Sequence, residues 1–505
     1  MKTLITILLS LAVSATAFAQ FTLSGKIKNY SGTESLQINI PLVFGFHKEN
    51  SIDIPVAKDG TFNIILPVNA QKFGNLIFQR KFLTLLLTPS KDLNINLNVR
   101  DTVSKIISGS ASAENKLMQQ IELEEYPFFL ANEGHNKLAE LSFSAMQKKI
   151  LEPYFNTRNA KIKKVNSSST STSYKKLIVA ELKYISYNYL NDFARTAVSN
   201  QVVRDSLIIN VFGNVNPEPE TFPAGPQYYA FVDNYIRYLE TVAFTEMKKE
   251  KIPTSKPIPF FKISLDSANI VVKKYGKSYW RWLGSTENFS NKVVEEFNFQ
   301  LITDLFVYKD LRPLELLANF YKKKFPEGKH LSTINGMLDT LKNTLHKSEH
   351  NNEIVVYNGF EKLNSLGDVI KTLKGKVVYL DVWGTWCPPC KEELRYNPQL
   401  KARFSNKDVA FVYLDMDEDD KDSSWREFIK INNLKGIHLR KSRAAMKSFW
   451  QELLANNPDK AEYYPQYFIF DTEGKLAISK ALPPSSKEEL YTQIESVLNK
   501  NQRIK

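Results

Sequence analysis

Among 505 residues there are two cysteines, and they stand three positions apart in Trp386-Cys387-Pro388-Pro389-Cys390. A dithiol at this spacing can close to a disulfide and reopen, which is the chemistry of thiol–disulfide exchange. The attacking species is a thiolate. Cys387 is assigned that role because a helix starts after it, and the unpaired N–H groups and dipole of a helix start favour an anion. Cys390, one turn later, is expected to be more buried and to resolve a mixed disulfide between Cys387 and a client. Pro388 and Pro389 have no N–H to offer. The first donors left for the Cys387 thiolate are the N–H groups of Cys390 and Lys391, a sparse set that favours a reducing couple over a strongly oxidising one.

The residues around the pair extend this chemistry. Asp381 lies six positions before Cys387 on the apolar run Val377–Trp383, which reads as a buried strand. A carboxyl there is expected to have a raised pKa and to take and return the proton of Cys390. The alternative is a capping carboxylate with no part in catalysis. Glu393 either tunes the site or is an ordinary solvated helix residue. Pro465 directly precedes the strand-like Tyr467–Phe470. A cis bond there would set the Tyr464 backbone beside the disulfide, where an extended client could pair with it; a trans turn proline is the other reading. Trp383 and Trp386 read as packing and groove residues. A structural zinc needs four ligands, and no second CxxC or HxxxH accompanies the cysteine pair. No metal and no cofactor are expected. Gly276-Lys277-Ser278 fails as a phosphate loop because Val271 stands where a glycine is required. His346 and His350 read as exposed helix-end histidines. Asp415, Asp417, Glu418, Asp419 and Asp420 read as a solvated loop.

Compartment follows from the start of the chain. Lys2, the apolar run Leu4–Val13 and Ala17-Phe18-Ala19 before Gln20 have the layout of a secretory signal, residues 1–19. The apolar run is about ten residues, whereas a membrane span needs ~20. The mature chain is therefore expected to be periplasmic or secreted, with no membrane span after signal cleavage. An exported protein stapled by disulfides would carry several of them, so a lone close pair speaks for exchange. The formal net charge of +13 implies a basic surface. The basic residues are scattered, and no nucleic-acid motif is present.

Three textures must hold these residues in place. Residues 20–110 are rich in short strands: Leu93-Asn94-Ile95-Asn96-Leu97-Asn98-Val99 alternates apolar and polar without a break, and Asp59-Gly60 between Ile54-Pro55-Val56 and Phe62-Asn63-Ile64 signals a hairpin. A β-sandwich is expected. Residues 111–350 carry apolar residues at three- and four-residue steps, as in Phe297, Leu301, Ile302 and Leu305, and are expected to be mostly helical. The Ser/Thr-rich run Asn166–Ser173 reads as a flexible connection. Residues 351–505 alternate strands (Val377–Trp383, Val409–Leu414) with helices (Cys387–Arg403, Ser424–Ile431), then give a hairpin at Tyr467–Ile478 and a closing helix at Lys487–Leu498. That alternation implies an α/β fold, with parallel strands and helices on both faces.

The segment Gly375–Cys390, the continuation Lys391-Glu392-Glu393, and Pro465 followed by Phe468-Ile469-Phe470-Asp471 and Gly474 resemble the TlpA/ResA-like branch of the thioredoxin superfamily. The resemblance covers about the last 150 residues and implies a thioredoxin-like fold. It implies Cys387 and Cys390 as the redox pair, Asp381 as the buried acid, Glu393 as the acidic residue of ResA-like reductases, and Pro465 as the cis-proline. Trp386, Pro388, Pro389 and Tyr464 would then border the client. Two departures stand out: a bulky Tyr464 precedes Pro465, and Arg395-Tyr396 replaces the usual helix proline, the nearest being Pro398. The strand-rich segment resembles a β-rich domain of unknown function that precedes such domains. The expected function is an exported thiol–disulfide oxidoreductase that reduces disulfide-bearing client proteins. With no further thiol in the chain, a membrane-embedded thiol donor is implied as its reductant. An envelope binding or scaffold protein with a secondary thioredoxin-like module, and a disulfide isomerase, are the alternatives.

Overall fold

The computed structural model describes residues 20–502 apart from 80, 101–104, 125–126, 131–135 and 458. The expected signal, residues 1–19, lies outside the described residues. The chain separates between Gln300 and Leu301 into two compact units.

The first unit begins with eight strands: β1 (Phe21–Lys28), β2 (Leu36–Asn39), β3 (Ser51–Asp53), β4 (Thr61–Leu66), β5 (Lys72–Phe78), β6 (Lys81–Leu87), β7 (Asp92–Asn98) and β8 (Lys105–Ser108). They form two four-stranded sheets, ordered β4-β1-β7-β8 and β3-β2-β5-β6. The period-two pattern does what it predicts. Leu93, Ile95 and Leu97 of β7 are buried, in one apolar cluster with Phe21 and Leu23 of β1 and Leu36, Ile38, Leu76 and Leu85 of the other sheet. The hairpin expected around Asp59-Gly60 shrinks to a single bridge, Val56 with Phe62, while Thr61–Leu66 pairs instead with β1. Pro55 has no N–H to extend the ladder on the other arm. Gly60 is required where it stands: its φ is +82°, and a Cβ would lie 2.3 Å from the Ile27 carbonyl oxygen.

The edge strand β6 is not left bare. Buried Asn115 accepts the Leu86 N–H at 2.8 Å and donates to the Leu86 carbonyl at 3.1 Å, standing in for a neighbouring strand. Helices follow. The longest, Thr172–Thr196 and Pro226–Lys249, bury aromatic side chains such as Tyr184, Tyr228 and Phe231 within 6.1 Å of one another. The Ser/Thr run is narrower as a connection than the sequence suggests. One helix runs to Ser167 and the next begins at Thr172.

The second unit contains β9 (Ile354–Val356), β10 (Val377–Trp383), β11 (Val409–Asp415), β12 (Gly436–Arg440), β13 (Gln466–Phe470) and β14 (Leu476–Ile478). They make one sheet in the order β14-β13-β10-β11-β12-β9. β10 is parallel to β11 and antiparallel to β13, and every residue of β10 is buried. Val378, Leu380 and Val382 face one apolar cluster with Trp425, Phe428 and Trp450. Val377 and Tyr379 face another with Leu400, Phe404, Leu490 and Ile494. Covering both faces of a central strand in this way is what makes it a near-continuous apolar run. Helices Leu311–Lys324 and Leu331–Ser348 pack against helix Asp422–Ile431.

Candidate active site

The strand-to-helix junction after β10 carries the cysteines. Helix Pro388–Leu394 starts with its two prolines in the first turn, where their lack of N–H costs nothing. Cys387 is the N-cap, and its Sγ accepts the Cys390 N–H at 3.2 Å. The two sulfurs are joined as a disulfide, with the Cα atoms 5.3 Å apart. The second expected donor is spoken for: the Lys391 N–H bonds the Cys387 carbonyl oxygen at 3.1 Å as an ordinary helical bond. The expected contrast in burial is absent. Cys387 is 3% exposed and Cys390 2%, because the closed disulfide sits in the apolar cluster with Val382, Trp383 and Leu394. The single helix expected over Cys387–Arg403 breaks at Arg395–Tyr396 and resumes as Asn397–Arg403, with Pro398 in its first turn.

Asp381 is buried and its Oδ1 has no hydrogen-bond partner. Its register neighbours are Tyr413 on β11 and Tyr467 on β13. Burial pushes its pKa well above the carboxylate range; the Glu393 charge adds to this and Lys401 opposes it. Glu393 is no solvated helix residue. Its carboxylate accepts the Ser485 N–H and hydroxyl, both at 2.9 Å. Lys401 is a member of this group that sequence reasoning missed. Its Nζ donates to the Lys435 carbonyl and lies 4.8 Å from the Tyr413 ring centroid. Burial pulls its pKa down to about 7, against the pull of Asp381. A lysine at helical spacing gives no sequence signal of such a position.

Tyr464-Pro465 is a cis peptide bond. Tyr464 meets Trp386 edge-on, with ring centroids 5.4 Å apart. Trp386 is 42% exposed, and a Cβ on Gly384 would lie 2.7 Å from its indole. Hence Gly384 is needed for close approach, though its φ is not positive. Trp383 is wholly buried against Phe428.

The acidic run after β11 departs from the sequence reading at two positions, while Glu418, Asp419 and Asp420 are exposed as a solvated loop should be. Asp415 and Asp417 are buried. Asp417 accepts the Thr385 N–H at 3.0 Å and its hydroxyl at 2.5 Å, and Asp415 accepts the Asp417 N–H at 2.9 Å. Asp417, backed by Asp415, therefore anchors the turn that presents Trp386 and Cys387, because the chain end of parallel β11 lies beside that of β10. Residue types alone carried no signal of this anchoring.

A cysteine pair on the first turn of a helix that follows the central strand of a mixed, two-faced sheet defines a thioredoxin-like dithiol site. The Redoxin family model matches residues 363–494. Over 129 residues the chain is 30% identical to the thiol-disulfide oxidoreductase ResA of Bacillus cereus, covering 25% of this chain and 67% of that protein. ResA of Bacillus thuringiensis subsp. konkukian matches to the same extent. A solved thiol:disulfide interchange protein from Bacteroides sp. is 22% identical, with 26% of this chain and 78% of that chain covered and a TM-score of 0.22. The chain belongs to the thioredoxin-superfamily thiol–disulfide oxidoreductases, and that class implies disulfide-bearing client proteins.

Proposed function

We propose that this protein is an exported reductase of client protein disulfides acting through Cys387 and Cys390. The Cys387 thiolate attacks one sulfur of the client disulfide. That S–S bond breaks, the leaving client thiolate takes up a proton, and a mixed disulfide remains on Cys387. Cys390 loses its proton and attacks the Cys387 sulfur. The mixed disulfide breaks and the second client thiol leaves. Two electrons have passed to the client, and the protein holds the Cys387–Cys390 disulfide. A thiol donor, in our reading a membrane-embedded one, returns two electrons to reset it.

The observation that carries this reading is the single backbone N–H on the Cys387 sulfur. Sparse hydrogen bonding leaves the thiolate modestly stabilised and the couple reducing. In the same reading Asp381 receives and returns the Cys390 proton, its orphaned Oδ1 and burial-raised pKa fitting a carboxyl that can hold a proton in this interior. Glu393, held by Ser485, acts on Asp381 through its charge. Trp386, Pro388, Pro389, Tyr464 and Pro465 border the client. Export rests on the leader-like residues 1–19. No described helix is long and apolar enough to cross a membrane.

We further propose that the two sheets of the first unit form a β-sandwich that recruits partners. An open cavity of about 540 Å³, lined by apolar residues such as Phe78, Phe82 and Met118 and by charged Lys81, Glu122 and Glu124, favours a binding role there. It is also the observation that supports the scaffold reading. Insulin reduction with dithiothreitol as donor separates the two. Turnover lost in Cys387→Ser, with a trapped mixed disulfide in Cys390→Ser, supports the reductase. An inactive intact protein sinks it.

A further inference from the structure

Resting on the reductase reading above, we infer that Arg443 selects clients carrying a carboxylate next to the disulfide to be reduced. Its guanidinium carbon lies 4.4 Å from the centroid of the Trp386 ring, and Trp386 immediately precedes Cys387. Arg443 is exposed. Among the described residues no carboxylate comes within ion-pair distance of it, although most other arginines of the second unit are so paired, as in Arg312–Glu427, Arg403–Glu495 and Arg440–Asp419.

The geometry explains why the cation remains useful. A guanidinium stacked on an indole satisfies its weakly hydrated face through the ring. The guanidinium's N–H donors form a planar fork that suits a carboxylate bidentately. The indole itself is fixed by the Tyr464 edge at 5.4 Å and by close approach to Gly384. The Arg443 guanidinium is thus held beside the residue that precedes Cys387. An extended client whose cysteine meets Cys387 carries its neighbouring side chain past this guanidinium. An acidic side chain there gains an ion pair; a basic one meets like charge.

The test uses the full-length protein reduced with dithiothreitol and freed of it, in single turnover. Three disulfide peptides differ only in the residue beside the cysteine: Asp, Asn or Lys. Each turnover oxidises Cys387 and Cys390 to the disulfide and gives peptide dithiol, so no recycling donor enters. The wild-type rate constant is expected to be about fivefold higher for the Asp than for the Asn peptide at low salt, the factor of an exposed ion pair of about 1 kcal/mol. Salt narrows the gap. Arg443→Glu reverses the order, and Arg443→Lys keeps part of it because charge remains without the fork. Equal wild-type rates for the three peptides overturn the role of Arg443 while the reductase reading stands. An unchanged preference in Arg443→Glu does the same. Failure of the wild type to reduce any of the three overturns the reductase reading instead.

Discussion

At the scale of single residues, the buried carboxyl of Asp381 poses the sharpest question. A carboxylate without a hydrogen bond to Oδ1 in an apolar interior is costly, and burial accordingly raises its pKa above 3.8. The folded state holds a proton that the unfolded chain releases. Its stability contribution is therefore complete below the unfolded pKa and is lost as pH rises through the folded one. Asp381→Asn removes that loss, so the variant is expected to melt at a higher temperature than wild type at pH 8 and to converge with it toward pH 4. The same change removes the proton acceptor for Cys390. Release of the mixed disulfide should slow on the order of 10²-fold and lose its pH dependence, while the first attack by Cys387 keeps its rate. Rapid-quench measurement of mixed-disulfide decay, beside melting curves, checks both. A variant that is slower without being more stable at pH 8 would contradict the burial argument.

At the scale of elements, the redox helix is tied to chain that precedes the matched domain. Lys391, next to Cys390, pairs with Asp310 at 2.5 Å, their side chains 10% and 23% exposed. Lys391 also lies over the Phe428 ring at 5.1 Å. Nearby, Arg312 bonds Glu427 twice, at 2.8 and 2.6 Å, but its side chain is 47% exposed. The two pairs should differ in worth. Lys391→Ala strands a mostly buried Asp310 and is expected to cost about 2 kcal/mol. Arg312→Ala leaves Glu427 open to water and should cost at most about 1 kcal/mol. Urea denaturation of the two variants gives the comparison; equal losses would refute it.

These elements also show what the sequence made readable. β7, β10 and the β13–β14 hairpin were visible because one periodicity and clear turn residues governed each. β12 was not, since buried His438 and Arg440 alternate with its apolar residues and break the apolar run that marks a central strand. Cys387, Cys390 and the cis bond before Pro465 stood out through residue types with few uses. The anchors Asp417, Ser485 and Lys401 did not, because a polar side chain carries the same letter whether it faces water or closes a buried contact. The packing of helices Leu311–Lys324 and Leu331–Ser348 against Asp422–Ile431 was hidden for the same reason: an amphipathic stripe states that a face is covered, not by what.

At the scale of the whole molecule, buried titratable groups give the two units distinguishable pH responses. In the first unit Glu181 is buried against Gly225, and burial pushes its pKa up to about 8 from 4.5. Its contribution is complete below pH 4.5 and is lost as pH climbs toward 8, by at most about 1.4 kcal/mol per pH unit. In the second unit His438 stacks on Tyr413 at 4.8 Å, and its Nε2 lies 2.5 Å from the Leu434 carbonyl oxygen, so it donates there as the neutral tautomer. Burial lowers its pKa to about 3 from 6.5. Its contribution is present above pH 6.5 and is lost as pH falls toward 3. Glu181→Gln should therefore flatten the decline on the alkaline side, and His438→Asn the decline on the acid side. The two groups lie in different units and share no partner, so the double variant should show both changes summed within about 0.5 kcal/mol. Melting curves from pH 4 to 9 on the four proteins decide it. A Glu181→Gln change that acts only below pH 4.5 would show that this carboxyl is ionised in the fold, and the burial assigned to it would be wrong.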